Sequence, residues 1–108
     1  MSRAYLTRTA GDFGDKYTIS LKEDDGTASN LTGATQAKFS ARLEGGTFLA
    51  VNKAISILSP VTNGQVEYQV AAADLDIPGL YFCQVEMTFP TRVTTYDVMV
   101  LSVQRQNA

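Results

Sequence analysis

Apolar and polar residues alternate along much of this chain, and alternation with a period of two is typical of half-buried β-strands. The longest such run covers residues 80–89 and follows a turn signal at Pro78 and Gly79. The apolar positions on one of its faces are Tyr81, Cys83, Val85, Met87 and Phe89. This segment is therefore predicted to be a central strand, around which the rest of the chain packs.

The same alternation predicts six further strands, separated by turn signals rich in glycine, asparagine and aspartate. They lie near residues 4–9, 16–22, 37–44, 47–58, 65–70 and 93–103. Only residues 71–75 favour a helix, and a segment of this length is about one turn. Seven strands and no long helix predict an all-β protein, with an immunoglobulin-like Greek-key β-sandwich of about seven strands as the favoured architecture. An up-and-down β-barrel is the main alternative.

A tyrosine two residues before a cysteine, at the start of the central strand, is typical of the tyrosine corner of immunoglobulin-type sandwiches. Tyr81 is predicted to donate a hydrogen bond to the backbone of the preceding loop, near residues 74–76. Gly79 is expected to form the tight turn into the strand. Cys83 is expected to pack as a small apolar side chain, because no neighbouring base or cation in the sequence would lower its pKa.

Composition indicates one globular domain and argues against several classes of partner. The 108 residues are 44% apolar and 19% charged, which is ordinary for a folded domain. A net charge of −2 offers no positive surface for nucleic acid, and no apolar run approaches the roughly 20 residues of a membrane helix. Residues 1–15 lack the apolar stretch of a signal peptide, so the chain is expected either to remain in the cytosol where it is made or to be assembled into a larger structure there.

The chain is predicted to divide into a short N-terminal segment and one domain. Residues 1–14 are expected to be either an edge strand of the same domain or an arm that docks on a neighbouring subunit. Residues 15–108 are expected to form the immunoglobulin-like sandwich.

Residue types needed for common catalytic and metal sites are largely missing. The chain has no histidine, which excludes Ser-His and Cys-His nucleophiles and histidine metal ligands. Three pairs of aspartates lie close together in sequence, but each is in a turn with glycine or proline, which favours turn structure or capping. The pairs are Asp12 with Asp15, Asp24 with Asp25, and Asp74 with Asp76. We therefore predict a protein that is not an enzyme and that binds no metal or cofactor.

The last two strands carry apolar residues on both faces. Leu80 and Phe82 lie on the nominally outer face of the central strand. If the two strands pair, they are expected to form an outward patch with three residues of the last strand, which are Met99, Leu101 and Val103. Exposed apolar area of this kind marks an interaction site, unless a loop or the N-terminal segment of the same chain covers it.

The order of several short segments resembles a known family. The segments are residues 53–57, 63–68, 73–75, 79–81 and 84–90, preceded by 25–26 and 30–34. They are similar to the immunoglobulin-like domain at the N-terminus of phage baseplate upper proteins and related phage structural proteins, over roughly residues 15–103. The resemblance implies a non-enzymatic β-sandwich that attaches one virion component to another.

In baseplate proteins the domain is joined to a receptor-binding assembly; if this chain is complete at Ala108, we expect a stand-alone decoration or adaptor protein on a capsid, neck, tail or baseplate. The implied location is the virion, after assembly in the host cytoplasm. The implied partners are other virion structural proteins, with self-association left open and neither nucleic acid nor membrane expected.

Two other binding roles fit the sequence less well. A carbohydrate- or cell-surface-binding module on the virion is the alternative function, although most aromatic residues fall at inward strand positions, with Phe13 and Phe48 as exceptions. A cellular immunoglobulin domain is disfavoured by the missing second cysteine and the missing tryptophan.

Overall fold

The described part of the chain contains seven β-strands, as the alternation predicts. The structure is a computed structural model that describes residues 4–46, 49–71 and 74–105. The strands are β1 (Ala4–Thr9), β2 (Lys16–Ser20), β3 (Gln36–Leu43), β4 (Leu49–Ile57), β5 (Gln65–Gln69), β6 (Gly79–Thr88) and β7 (Val93–Gln104). The only helical segment among the described residues is a 3₁₀ turn at Val61–Asn63. The prediction of an all-β protein is confirmed.

The strands belong to one curled sheet of mixed pairing, in the order β1-β7-β6-β3-β4-β5-β2. β1 runs parallel to β7, and all other neighbours are antiparallel. The sheet turns at β4, because this strand pairs with β3 over most of its length and with β5 only at Ser56 and Ile57. The strands before and after the turn therefore line the same core.

An aromatic stack in the core joins residues from both sides of the turn. Tyr68 on β5 lies against Phe39 on β3, with ring centroids 4.0 Å apart, and the Tyr17 ring on β2 lies 6.4 Å from that of Tyr68. Phe39 and Tyr68 are fully buried. Stacked aromatic pairs contribute about 0.5–1.5 kcal/mol beyond the apolar area that they bury, so this stack holds the curl closed.

Arg8 connects β1 and β2, the two end strands of the sheet. Its side chain is only 3% exposed and lies 3.5 Å from the carboxylate of Asp15. The guanidinium donates to the hydroxyl of Tyr17 at 3.1 Å and to the backbone carbonyl of Asp12. β1 thus lies at one end of the same sheet as the other described strands, and the division into residues 1–14 and 15–108 stays a prediction.

The loop before β6 has the geometry of a tyrosine corner. The hydroxyl of Tyr81 donates to the backbone carbonyl of Ile77 at 2.7 Å, one residue beyond the predicted range of 74–76. Burial raises the pKa of Tyr81. Gly79 has a φ of +146°, which strains any residue with a side chain, and a Cβ there would lie 2.7 Å from the side chain of Leu43.

We expect Tyr81→Phe to lower the free energy of unfolding by about 1 kcal/mol, because the Ile77 carbonyl loses its donor. Urea unfolding followed by circular dichroism measures the change. Tyr5→Phe is the matched control, because it removes a hydroxyl from a ring that is 75% exposed. Equal unfolding midpoints for Tyr81→Phe and the wild type would show that the corner bond contributes nothing.

Cys83 lies in the core at 2% exposure, and burial raises the pKa of its thiol to about 12. The thiolate is the reactive form, so we expect thiol reagents near neutral pH to modify Cys83 only as fast as the protein opens. Labelling in native buffer and in urea, with mass spectrometry as the readout, tests this. Rapid native labelling would contradict the buried position.

Candidate interaction surface

The outer side of β1, β7 and β6 carries a row of neighbouring apolar residues. Tyr5 on β1 is opposite Val100 on β7, and Val100 is opposite Phe82 on β6. Leu80 lies two residues before Phe82 and therefore on the same face. We call Tyr5, Leu80, Phe82 and Val100 the outer patch. It lies on the side of the sheet opposite the core.

The four residues of the outer patch differ in exposure. Tyr5 is 75% exposed, Leu80 is 39% exposed and Phe82 is half-buried. Val100 is buried although it lies outside the core cluster, so its cover comes from the outer side of the sheet. An apolar surface held on a paired sheet is preformed and suits contact with another protein.

The predicted five-residue patch is wrong for its three members on β7. Met99, Leu101 and Val103 are each no more than 3% exposed and belong to the core cluster. They are directly opposite three residues of β6, which are Cys83, Tyr81 and Gly79. Directly opposed residues of an antiparallel pair share a face, so these three cannot accompany Leu80 and Phe82 on the outer side.

A β-bulge in β7 is the physical reason for the difference. Asp97 is opposite Gln84, whereas Met99 is opposite Cys83, so Val98 is an extra residue in β7. An extra residue reverses which later positions face inward. Because the four residues from Val98 onward are all buried, their hydrophobicity carried no signal of the reversal.

Two members of the outer patch, Tyr5 and Val100, were not predicted from the sequence. The bulge in β7 places Val100 beside Phe82, and the pairing of β1 with β7 places Tyr5 beside Val100. The available signal was the apolar pair of Tyr5 and Leu6 in the first strand. Of the two loop aromatics noted in the sequence, Phe13 is 65% exposed and Phe48 lies outside the described residues.

A cluster of polar residues, separate from the outer patch, lies beside a groove of about 230 Å³ between β4 and β5. One carboxylate oxygen of Asp74 accepts hydrogen bonds from the Tyr68 hydroxyl and the Ala71 amide, both at 2.9 Å, and from the Lys53 ammonium. Burial acts to raise the pKa of Asp74, but the bonds from Lys53, Ala71 and Tyr68 outweigh it, so the pKa lies below 3.8. Burial and the bond to Asp74 raise the pKa of Tyr68. This cluster ties the loop after β5 to the core.

Comparison of the chain with protein-family models and with curated proteins found no match. No helix among the described residues has the length and apolar character needed to cross a membrane. Across residues 4–46, 49–71 and 74–105, no three Cys, Asp or Glu side chains are grouped to hold a metal ion.

We expect Asp74→Asn to destabilise the protein by about 1–3 kcal/mol at pH 7, because the buried Tyr68 hydroxyl and Lys53 lose a charged acceptor. The pKa of Asp74 is lower in the folded state than in the unfolded chain. The ionised carboxylate therefore contributes its whole stabilisation above the ordinary pKa of 3.8, and this stabilisation is lost as the pH falls through the folded-state pKa. The difference in the free energy of unfolding between wild type and Asp74→Asn should therefore shrink below pH 3.8.

Thermal unfolding across a pH series measures this difference. Asp24→Asn is the control, since it also removes a carboxylate but from an exposed turn. A wild-type advantage over Asp74→Asn that stays constant down to the lowest pH would contradict the role of the ionised carboxylate.

Proposed function

We propose that this chain is a non-enzymatic structural protein of a tailed-phage virion. It acts as a decoration or adaptor on the capsid, neck, tail or baseplate, through contacts with other virion structural proteins. It is assembled in the host cytoplasm and resides in the virion. The outer patch is the single structural observation that supports this role, and the resemblance over residues 15–103 supplies the class of partner.

The finer fold assignment, an immunoglobulin-like Greek-key sandwich, is part of the proposal. It is supported by the order of strands, with β7, β6 and β3 adjacent on one side of the turn and β5 and β2 adjacent on the other. The stack of Tyr68 on Phe39 supports two layers facing each other. The bond from Tyr81 to Ile77 supports the immunoglobulin type, in which a tyrosine at this corner bonds the backbone upstream.

The outer patch supports a partner that is a protein. Apolar and aromatic side chains dominate the centres of protein interfaces, and a rim of small polar residues completes them. Thr7 and Ser102 are opposite each other across β1 and β7, and Leu80 is opposite Ser102, so the patch has such a polar margin. The patch lies on three hydrogen-bonded strands, so little order has to be gained when a partner binds.

A carbohydrate- or cell-surface-binding module on the virion is the second candidate. Phe13, at 65% exposure in the loop between β1 and β2, is the observation that favours it, because exposed aromatic rings are suited to stacking on flat ligands. It ranks second because the outer patch presents several apolar residues together, whereas Phe13 stands in a loop of small and acidic residues.

The proposed function is tested by adding the purified chain to virions of its own phage that were assembled without it and measuring binding. We expect saturable binding, and we expect Leu80→Ser with Phe82→Ser to weaken it at least tenfold while the fold is retained. Gln84→Ser with Glu86→Ser is the matched control, because it changes two exposed positions of the same strand. Co-sedimentation with particles gives the affinity.

Each outcome of this experiment has a defined meaning. Absence of binding to the particles would refute the virion role. Equal binding by the Leu80 and Phe82 variant would show that another surface makes the contact. Loss of binding in Phe13→Ser, together with competition by cell-surface glycans, would favour the second candidate.

A further inference from the structure

The outer edge of β1 is a second surface of this protein, and it adjoins the outer patch at Tyr5. β1 is the terminal strand of the sheet and pairs with β7 on one side only, and no described residue pairs with its other side. Tyr5 is 75% exposed, Leu6 is 37% exposed and Thr7 is also exposed. Unpaired backbone groups along such an edge are a template for another strand.

Natural proteins protect sheet edges with charged side chains, and two other edges of this sheet, on β2 and β7, have them. β2, the opposite end strand, begins with Lys16, whose side chain is 58% exposed. The part of β7 that extends beyond β1 carries the exposed Asp97. On β1, residues 4–7 are uncharged, and the one charge, Arg8, is turned inward to Tyr17. Among the described residues, this edge therefore has no outward charged side chain to protect it.

We propose that β1 pairs antiparallel with β1 of a second copy of this chain, about a two-fold axis at Leu6. The proposal goes beyond the virion role and does not depend on it. A second copy fits because its own β1 offers the same uncharged, unpaired edge, and a two-fold interface needs one surface that complements itself. An exposed sheet edge commonly gains a partner by this kind of strand addition.

The geometry of the sheet restricts the register. A two-fold axis perpendicular to the sheet keeps the outer side of both copies on the same side, so opposed residues must share a face. With Leu6 on the axis, Tyr5 of each copy is opposite Thr7 of the other, and all four are outer-side residues. Ala4 is then opposite Arg8, so no like charges meet. The two Leu6 side chains, each 37% exposed in the single chain, cover each other.

The test is the mass in solution by light scattering after size exclusion, across a micromolar dilution series. We expect the wild type to be a dimer that dissociates on dilution. Tyr5→Lys with Thr7→Lys should be monomeric, because the introduced lysines face each other twice across the axis. Tyr5→Lys with Thr7→Glu should restore the dimer, because each lysine then faces a glutamate of the other copy.

The control is Thr18→Lys with Ser20→Lys, which adds two lysines at exposed positions of the opposite end strand β2 and should leave the dimer intact. All four substituted positions are exposed or lie on an edge strand, and unchanged urea midpoints will show that the variants remain folded. A wild type that is monomeric at every concentration overturns the proposal. A dimer that survives the two lysines on β1 overturns it as well, and a monomeric lysine–glutamate variant overturns the register at Leu6.

Discussion

The stack of Tyr68 on Phe39 is the contact on which the rest of this fold depends. It bridges the two sides of the curled sheet with ring centroids 4.0 Å apart. A fully buried tyrosine also needs a partner for its hydroxyl, and Asp74 accepts that hydrogen bond at 2.9 Å. The ammonium of Lys53 pairs with the same carboxylate and lies 5.2 Å from the centroid of the Tyr68 ring. One aromatic contact thus fixes β3, β5, β4 and the loop after β5 together.

Closing the sheet on this stack leaves one side of β6 and β7 outside the core, and the bulge at Val98 determines which residues lie on that side. Tyr96 faces the core. Without the extra residue, strict alternation from Tyr96 would turn Val100 inward, and it would turn Met99 and Leu101 outward. That arrangement is the patch predicted from the sequence. With the bulge, Val100 joins Phe82 on the outer side, while Met99 and Leu101 fill the core. A single inserted residue therefore determines both the core and the candidate interface.

Period-two alternation was enough to place all seven strands and to put Cys83 inside, because each strand has one side against the core. The local spacing of Gly79 and Tyr81 was enough to locate the corner, since its hydrogen bond spans only four residues. Pairing between distant segments was not predictable from local pattern. The parallel alignment of β1 with β7 and the inward turn of Arg8 depend on where the ends of the sheet meet.

β1 closes the fold and also presents a surface, because its inner side, outer side and edge point in different directions. Arg8 anchors it through Tyr17 and the carbonyl of Asp12, and the backbone pairs with β7 along its six residues. Ordering a free arm of the same length would cost about 1–2 kcal/mol per residue for the backbone alone. The anchored strand has already lost this conformational entropy on folding. A contact made through Tyr5 or the edge beside Leu6 therefore begins from a strand that already has its binding conformation.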